Sequence, residues 1–318
     1  MSISYKIMPR NNIDPKRLSD AWKELYALEK VQLKKKLLYS NNLIKRALSE
    51  SSNPSISWSG GKDSTVVLHL VLQYSPNIPV IFADVDCLFP ETKEYVFNLA
   101  KIWKLNLHVV KSTEYDFDSI TKKYGYPIFS KNIASNVERA INTGNIRKQL
   151  SKFERFLVQN KAKISTKCSQ YLLERPCKLK EKELKCDLKF IGLRALESRA
   201  RVRLWADYGG MYSVKRYYGR NKPITKCNPI SIWSENNIWE YLKKFKLPIC
   251  DIYNKGYKRN GCLTCAMAIR NGQLQRLKNY NYELYNDLIE NSEMGAEIKR
   301  LKKLLDKTDN FKNYIRLP

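Results

Sequence analysis

Six consecutive residues, Ser59-Gly60-Gly61-Lys62-Asp63-Ser64, constrain this chain more than any other stretch. The residues before them, 55–58, read as a short strand, and 65–72 read as an apolar helix. At such a junction, glycines without a Cβ let backbone N–H groups approach the oxygens of an anion. The helix that follows offers its N-terminal amides and the positive end of its dipole to the same anion. Lys62 adds a point charge, and Ser59 and Ser64 add hydroxyl donors. The spacing is not that of a Walker A loop, G-x-x-x-x-G-K-[ST], because the lysine directly follows the glycine pair. The pattern points to a phosphate-binding loop; a turn that merely joins strand to helix is the plainer alternative.

The surrounding chain repeats the strand–helix alternation. Residues 78–85 form a near-continuous apolar run, as expected of a strand buried on both faces, 91–103 look helical, and 105–110 and 188–193 are strand-like. The expected fold is α/β: a doubly wound, mostly parallel Rossmann-like sheet with helices added at both ends. Three segments follow: an N-terminal helical segment over 1–50 (helix at 15–49), an α/β domain over 51–265, and a C-terminal helical tail over 266–318. A basic, helix-compatible insertion interrupts the domain at about 130–163, with a break at Thr143-Gly144. Ser234 is the expected N-cap of a helix over 235–245.

Lysine and arginine outnumber acidic residues 58 to 31, a net charge of +27. That excess suits a polyanion such as nucleic acid; a Lys-rich composition set by an AT-rich genome is the alternative. The two histidines, His69 and His108, lie in apolar stretches and read as packing groups, which disfavours histidine-based catalysis. Residues 1–13 have no apolar core of a secretory signal, and the longest apolar run, 66–72, falls short of the ~20 residues of a membrane span. A cytoplasmic protein is expected. Its eight cysteines are then core thiols, metal or cluster ligands, or reactive groups rather than a disulfide framework.

The run Ser59–Ser64 resembles the SGGKDS motif of the PP-loop ATP pyrophosphatases. That resemblance implies that the loop holds pyrophosphate while an acceptor attacks the α-phosphate of ATP. Asp84-Val85-Asp86-Cys87-Leu88-Phe89-Pro90-Glu91-Thr92 resembles the D-T-G-x-x-F-P-E-T stretch of the phosphoadenylyl-sulfate (PAPS) reductase family, departing at Val85 and Asp86. Gly192-Leu193-Arg194-Ala195-Leu196-Glu197-Ser198-Arg199 matches that family's G-x-R-x-x-E-S-R pattern. The stretches 229–233 and 253–259, and Gly261-Cys262-Leu263-Thr264-Cys265, resemble its C-terminal part, so the likeness covers about residues 51–270. It implies ATP and Mg2+ as ligands, held by Ser59, Gly60, Gly61, Lys62, Asp63, Ser64, Asp84, Arg194, Ser198 and Arg199. Catalytic roles fall to Lys62, Asp63, Arg194 and Glu197. Arg194 and Arg199 suit bidentate contacts to phosphate or sulfonate, and Glu197 would orient one of them or help hold magnesium. Asp84 as a strand-end cap, and an Arg–Glu pair that is purely structural, are the plainer alternatives.

Two departures bear on the reaction. Sulfonucleotide reductases that use no ATP generally lack the loop lysine and carry a nucleophilic cysteine near the C-terminus. This chain keeps Lys62 and has no cysteine between Cys265 and Pro318. Both favour an ATP-cleaving member, and the DNA phosphorothioation ATP pyrophosphatases of the family combine an intact loop with an iron–sulfur cluster. Cys262 and Cys265 form a C-x-x-C that can face one metal. Cys168 sits where relatives often show a cysteine pair, with Ser169 replacing the second. Cys177 is the expected fourth ligand, and Cys186 and Cys227 are weaker choices. A [4Fe–4S] cluster, a structural zinc and free thiols all remain open. Cys87 and Cys250 read as packing. The leading expectation is ATP-dependent sulfur transfer to nucleic acid, with a sulfur donor such as a cysteine desulfurase. The alternatives are a PAPS reductase and a non-catalytic nucleotide-binding regulator.

Overall fold

The computed structural model describes residues 14–144, 150–214, 223–267, 269, 272–312 and 314–318. The expectations for residues 1–13, and for 145–149 within the insertion, lie outside them. The chain gathers into two compact units, each discontinuous in sequence: Met1–Ala83, Pro90–Val110 and Cys177–Asp251 form one, and Asp84–Phe89, Lys111–Pro176 and Ile252–Pro318 the other. This partition crosses the three consecutive segments expected from the sequence.

In the first unit the N-terminal helical stretch is two helices rather than one, α1 (Pro15–Glu29) and α2 (Leu33–Ser49), broken at residues 30–32. Asp14 caps α1, its carboxylate accepting from the Lys16 N–H at 3.0 Å, and Pro15 takes the first helical position. Then come β1 (Pro54–Ser57), α3 (Lys62–Leu72), β2 (Val80–Ala83), α4 (Pro90–Ile102) and β3 (Leu107–Val110).

The second unit contributes α5 (Phe117–Tyr124), α6 (Lys131–Thr143), α7 (Lys152–Gln159) and a π-helical turn at Ser169–Glu174 that runs into α8 (Arg175–Glu183). Back in the first unit, β4 (Leu188–Phe190), α9 (Arg199–Tyr208), β5 (Met211–Val214), β6 (Ile224–Cys227) and α10 (Glu235–Lys244) follow. The second unit closes the chain with α11 (Gln273–Tyr280), α12 (Tyr282–Asn286) and α13 (Glu293–Asp306).

The six strands form one sheet in the order β3-β2-β1-β4-β6-β5, all parallel except β5, which runs antiparallel to β6. Ile56 stands between Val80 of β2 and Phe190 of β4, so β1 is central. Ile56, Val80 and Phe190 are fully buried, with Val66, Val67 and Leu68 of α3. Each such side chain contributes about 1.5–3 kcal/mol by leaving water. From β1 the chain winds outward to β2 and β3 on one side and continues through β4 and β6 on the other. The carboxyl end of β1 is therefore the crevice where open α/β sheets bind ligands. The doubly wound, mostly parallel sheet expected from the sequence is the fold observed. No helix is long and apolar enough to cross a membrane among the described residues.

The second unit is helical, and capping sets its breaks. Ser130 caps α6, Gly144 ends it in the left-handed region at φ 64°, and Ser151 and Glu154 form a capping box at α7. The break expected at Thr143-Gly144 is present. Between helices, single backbone bridges join Leu88 to Cys262, Tyr126 to Ile164 and Ile128 to Ala266.

Candidate functional site

The loop after β1 is a tight turn shaped by its own glycines and serines. Gly60 sits at φ 71°, a left-handed turn that costs glycine little. The Ser64 hydroxyl folds back to donate to the Gly61 carbonyl at 2.9 Å and accepts from the Ser59 N–H at 3.3 Å. The Thr65 N–H begins the helical ladder on the Gly61 carbonyl at 2.9 Å. Buried Trp58 ties the loop's two ends together, its indole N–H donating to the Thr65 hydroxyl at 3.0 Å. Gly192, just past β4, approaches the start of α3 so closely that a Cβ there would lie 2.8 Å from the Cα and N of Ser64. The start of the G-x-R-x-x-E-S-R stretch thereby lies against the end of the 59–64 loop.

Four charged side chains meet at this point in the first unit. The Lys62 ammonium, 3% exposed, lies 3.3 Å from an Asp63 carboxylate oxygen and 3.3 Å from one of Glu235. The buried Arg194 guanidinium donates from Nε to Asp63 at 2.5 Å and lies 3.6 Å from Glu235. Trp239, one turn along α10, presents its ring 5.9 Å from the Lys62 ammonium. Two cations thus face two carboxylates. Asp63 is held by both, whereas Glu235 is half exposed and free to turn toward water.

Glu235 is the residue that sequence reasoning missed. It stands at the first turn of α10, whose N-cap is the expected Ser234, accepting from the Asn237 N–H at 3.2 Å. Its place beside the loop is fixed from elsewhere: His69 of α3 hydrogen-bonds Tyr241 of α10 through Nδ1 at 2.8 Å, and buried Lys36 of α2 donates to Asn237 at 2.5 Å. His69 does serve packing, and burial lowers its pKa. Of the remaining expected residues, Glu197 is ion-paired with Arg201, Ser198 caps α9 and Arg199 is exposed at its first position. Asp84 directly follows β2 and belongs to the second unit.

The cysteines divide evenly. Cys177, on α8, and the buried Cys186, Cys227 and Cys250 belong to the first unit; Cys87, Cys168, Cys262 and Cys265 belong to the second. Cys87, expected to be packing alone, is buried but hydrogen-bonds the Cys262 thiol, which with burial pushes its own pKa far up. The same bond lowers the pKa of Cys262, against the opposing effect of burial and with help from the Lys131 ammonium. Burial, then the charges of Cys265 and Cys262, push Cys168 up to about 12, and burial pushes Cys265 up to about 11. Among the described residues, no three His, Cys, Asp or Glu side chains are already drawn into the geometry of a metal site.

A parallel sheet whose central strand ends in a Gly-Gly-Lys-Asp loop, faced by a buried arginine, defines an α/β protein of the PP-loop class. The phosphoadenosine phosphosulfate reductase domain matches residues 53–268, and the chain belongs to that family. It is 29% identical over 206 residues to a phosphoadenosine 5'-phosphosulfate reductase of Buchnera aphidicola, covering 65% of this chain and 67% of the relative. It is 27% identical over 231 residues to a protein of the same name from Xylella fastidiosa, covering 72% and 80%. Among solved structures, PAPS reductase from Candida auris in a phosphate complex aligns with a TM-score of 0.46 at 16% identity, covering 80% of this chain and 98% of that one.

Proposed function

We propose that the first unit binds an adenine nucleotide with its phosphates over the 59–64 loop, and that the enzyme cleaves ATP to AMP and pyrophosphate to adenylate an acceptor for sulfur transfer. The observation that carries this is the Lys62 ammonium, buried at the loop and 3.3 Å from two carboxylates that a phosphate chain can replace. The loop amides, Lys62 and Arg194 would hold the charge that grows on the leaving pyrophosphate, an electrostatic role suited to phosphoryl-type chemistry. Asp63 and Glu235 are the carboxylates that would hold Mg2+, whose charge would further neutralise the phosphates. Nucleic acid as the acceptor is supported by the net charge of +27, and a sulfur-donating partner follows from the same chemistry. A thiolate-bound metal centre in the second unit, [4Fe–4S] or zinc, belongs to this reading. Its support is the donor set, a C-x-x-C at Cys262 and Cys265 whose charges both act on Cys168.

A second reading, reduction of phosphoadenosine phosphosulfate, is favoured by a specific observation: it is the name carried by the relatives that match over two thirds of their length or more. In that reaction the same loop and Arg194 would hold the nucleotide, and electrons would come from an external dithiol.

One experiment separates the two. Protein purified anaerobically is given ATP and magnesium, with and without bulk nucleic acid, and separately PAPS with a dithiol donor. Pyrophosphate and AMP release that disappears in Lys62→Ala supports ATP cleavage. Reduction of PAPS with no pyrophosphate from ATP under any condition overturns it in favour of the reductase.

A further inference from the structure

The backbone of the second unit brings three cysteine-bearing segments together, with four cysteines on them. Cys87 and Leu88 run beside the C-x-x-C turn: Leu88 bridges Cys262, and the Leu263 N–H donates to the Cys87 carbonyl at 2.8 Å. The turn closes on itself with the Cys265 N–H on the Cys262 carbonyl at 3.3 Å. The next residue, Ala266, bridges Ile128 and accepts from the Phe129 N–H at 3.2 Å. Tyr126 in turn bridges Ile164 and accepts from the Ser165 N–H at 3.0 Å, which leads the chain to Cys168. Lys131 closes the circuit by donating to the Ser169 hydroxyl at 2.9 Å, and its charge reaches Cys168, Cys262 and Cys265.

From this convergence we infer that Cys87, together with Cys168, Cys262 and Cys265, forms a four-thiolate metal-binding site. The inference rests on the metal-centre reading above and deepens it by assigning the fourth ligand. Cys177 is carried on α8, in the other unit. Cys87 supplies the thiol that Ser169 cannot, and it does so from a segment distant in sequence. Four thiols gathered in one interior have little packing advantage over aliphatic side chains, and their thiolates repel one another. A soft cation removes that repulsion and takes all four as ligands, their protons leaving as it binds.

The test uses the full chain, produced with iron and sulfide or with zinc supplied, and compares wild type with Cys87→Ser and Cys177→Ser. Iron, acid-labile sulfide and zinc are counted, and visible absorption distinguishes a cluster from zinc. The expected result is a metal-loaded wild type, a Cys177→Ser variant that keeps its metal and a Cys87→Ser variant that loses most of it. Wild type that binds neither metal overturns the metal-centre reading as a whole. Metal retained by Cys87→Ser, or lost by Cys177→Ser instead, overturns only the assignment of Cys87. If Cys87→Ser fails to fold, alkylation of native loaded protein decides the matter by mass spectrometry. Cys87 protected by metal and modified after chelation supports the assignment; Cys87 modified equally in both states, or joined to Cys262 by a disulfide, overturns it.

Discussion

Replacing Lys62 with methionine removes one charge from the centre of the loop while keeping the length of the side chain. The fold should tolerate the change. Asp63 keeps its 2.5 Å bond to Arg194, and Glu235 is half exposed, so its carboxylate can hydrate. The melting temperature should move by only a few degrees. Nucleotide binding should suffer far more. A unit charge about 4 Å from a phosphate is worth about 4 kcal/mol at an effective dielectric near 20. Two carboxylates at 3.3 Å already neutralise part of that charge and must be displaced on binding. A net loss of about 1.5–3 kcal/mol, the range for a hydrogen bond to a charged group, corresponds to roughly 10- to 150-fold weaker affinity. Isothermal titration of ATP and of PAPS into both proteins, without magnesium, measures this directly. A change of less than about threefold for both nucleotides, in a variant that melts like wild type, would refute the placement of phosphate at Lys62.

Three other outcomes follow from the same geometry. Glu235→Gln removes a competitor from Lys62 and Arg194, and half-exposed pairs of this kind are worth ~0.2–1 kcal/mol, so magnesium-free nucleotide affinity should rise about 1.5- to 5-fold; weaker binding would show that Glu235 does not compete. Gly192→Ala drives a Cβ into the backbone of Ser64, and should abolish nucleotide binding at a cost of about 1–3 kcal/mol in stability; unchanged affinity would show that the close approach is dispensable. Burial pushes the Asp187 carboxyl up, but hydrogen bonds from the Ser51 hydroxyl and the Ser52 and Asn53 N–H groups outweigh it and hold the pKa below its ordinary 3.8. A depressed folded value stabilises the protein above the unfolded pKa and loses that effect as pH falls through the folded one. Asp187→Asn should therefore be less stable than wild type in denaturant at pH 7, with the gap closing below about pH 4; a gap independent of pH would contradict this.

The 59–64 loop was legible because everything that shapes it is local: two glycines, a lysine and a helix start within six residues. Arg194 was legible because its pattern is contiguous. Glu235 was not, since an acid in a helix's first turn is adequately explained by the dipole, and only the packing of α10 on α3 brings it to Lys62. Cys87 sits among Val85, Leu88 and Phe89, so its neighbours in sequence argue for packing while its partner lies on the C-x-x-C turn. Strands β5 and β6 escaped notice because Ser213, Thr225 and Lys226 break their apolar runs, unlike the near-continuous apolar run of β2. Lys36 gave no signal of being buried within a basic helix, where the Glu29 carbonyl and Asn237 satisfy its ammonium.

The order of the strands governs how the chain can emerge from a ribosome. β1 leaves early, and β2 and β3 can pair on one side of it within the next few dozen residues. Its other neighbour, β4, is made only after the whole 111–176 segment of the second unit. Until Phe190 arrives beside Ile56, one edge of the future central strand stays open, with its row of unpaired amides and carbonyls. Pairing of this kind is slow because a long intervening loop must close first. A nascent chain stalled between residues 110 and 188 would therefore expose a three-stranded parallel edge, which is the stage at which this protein should depend most on chaperones and aggregate most readily when they are scarce.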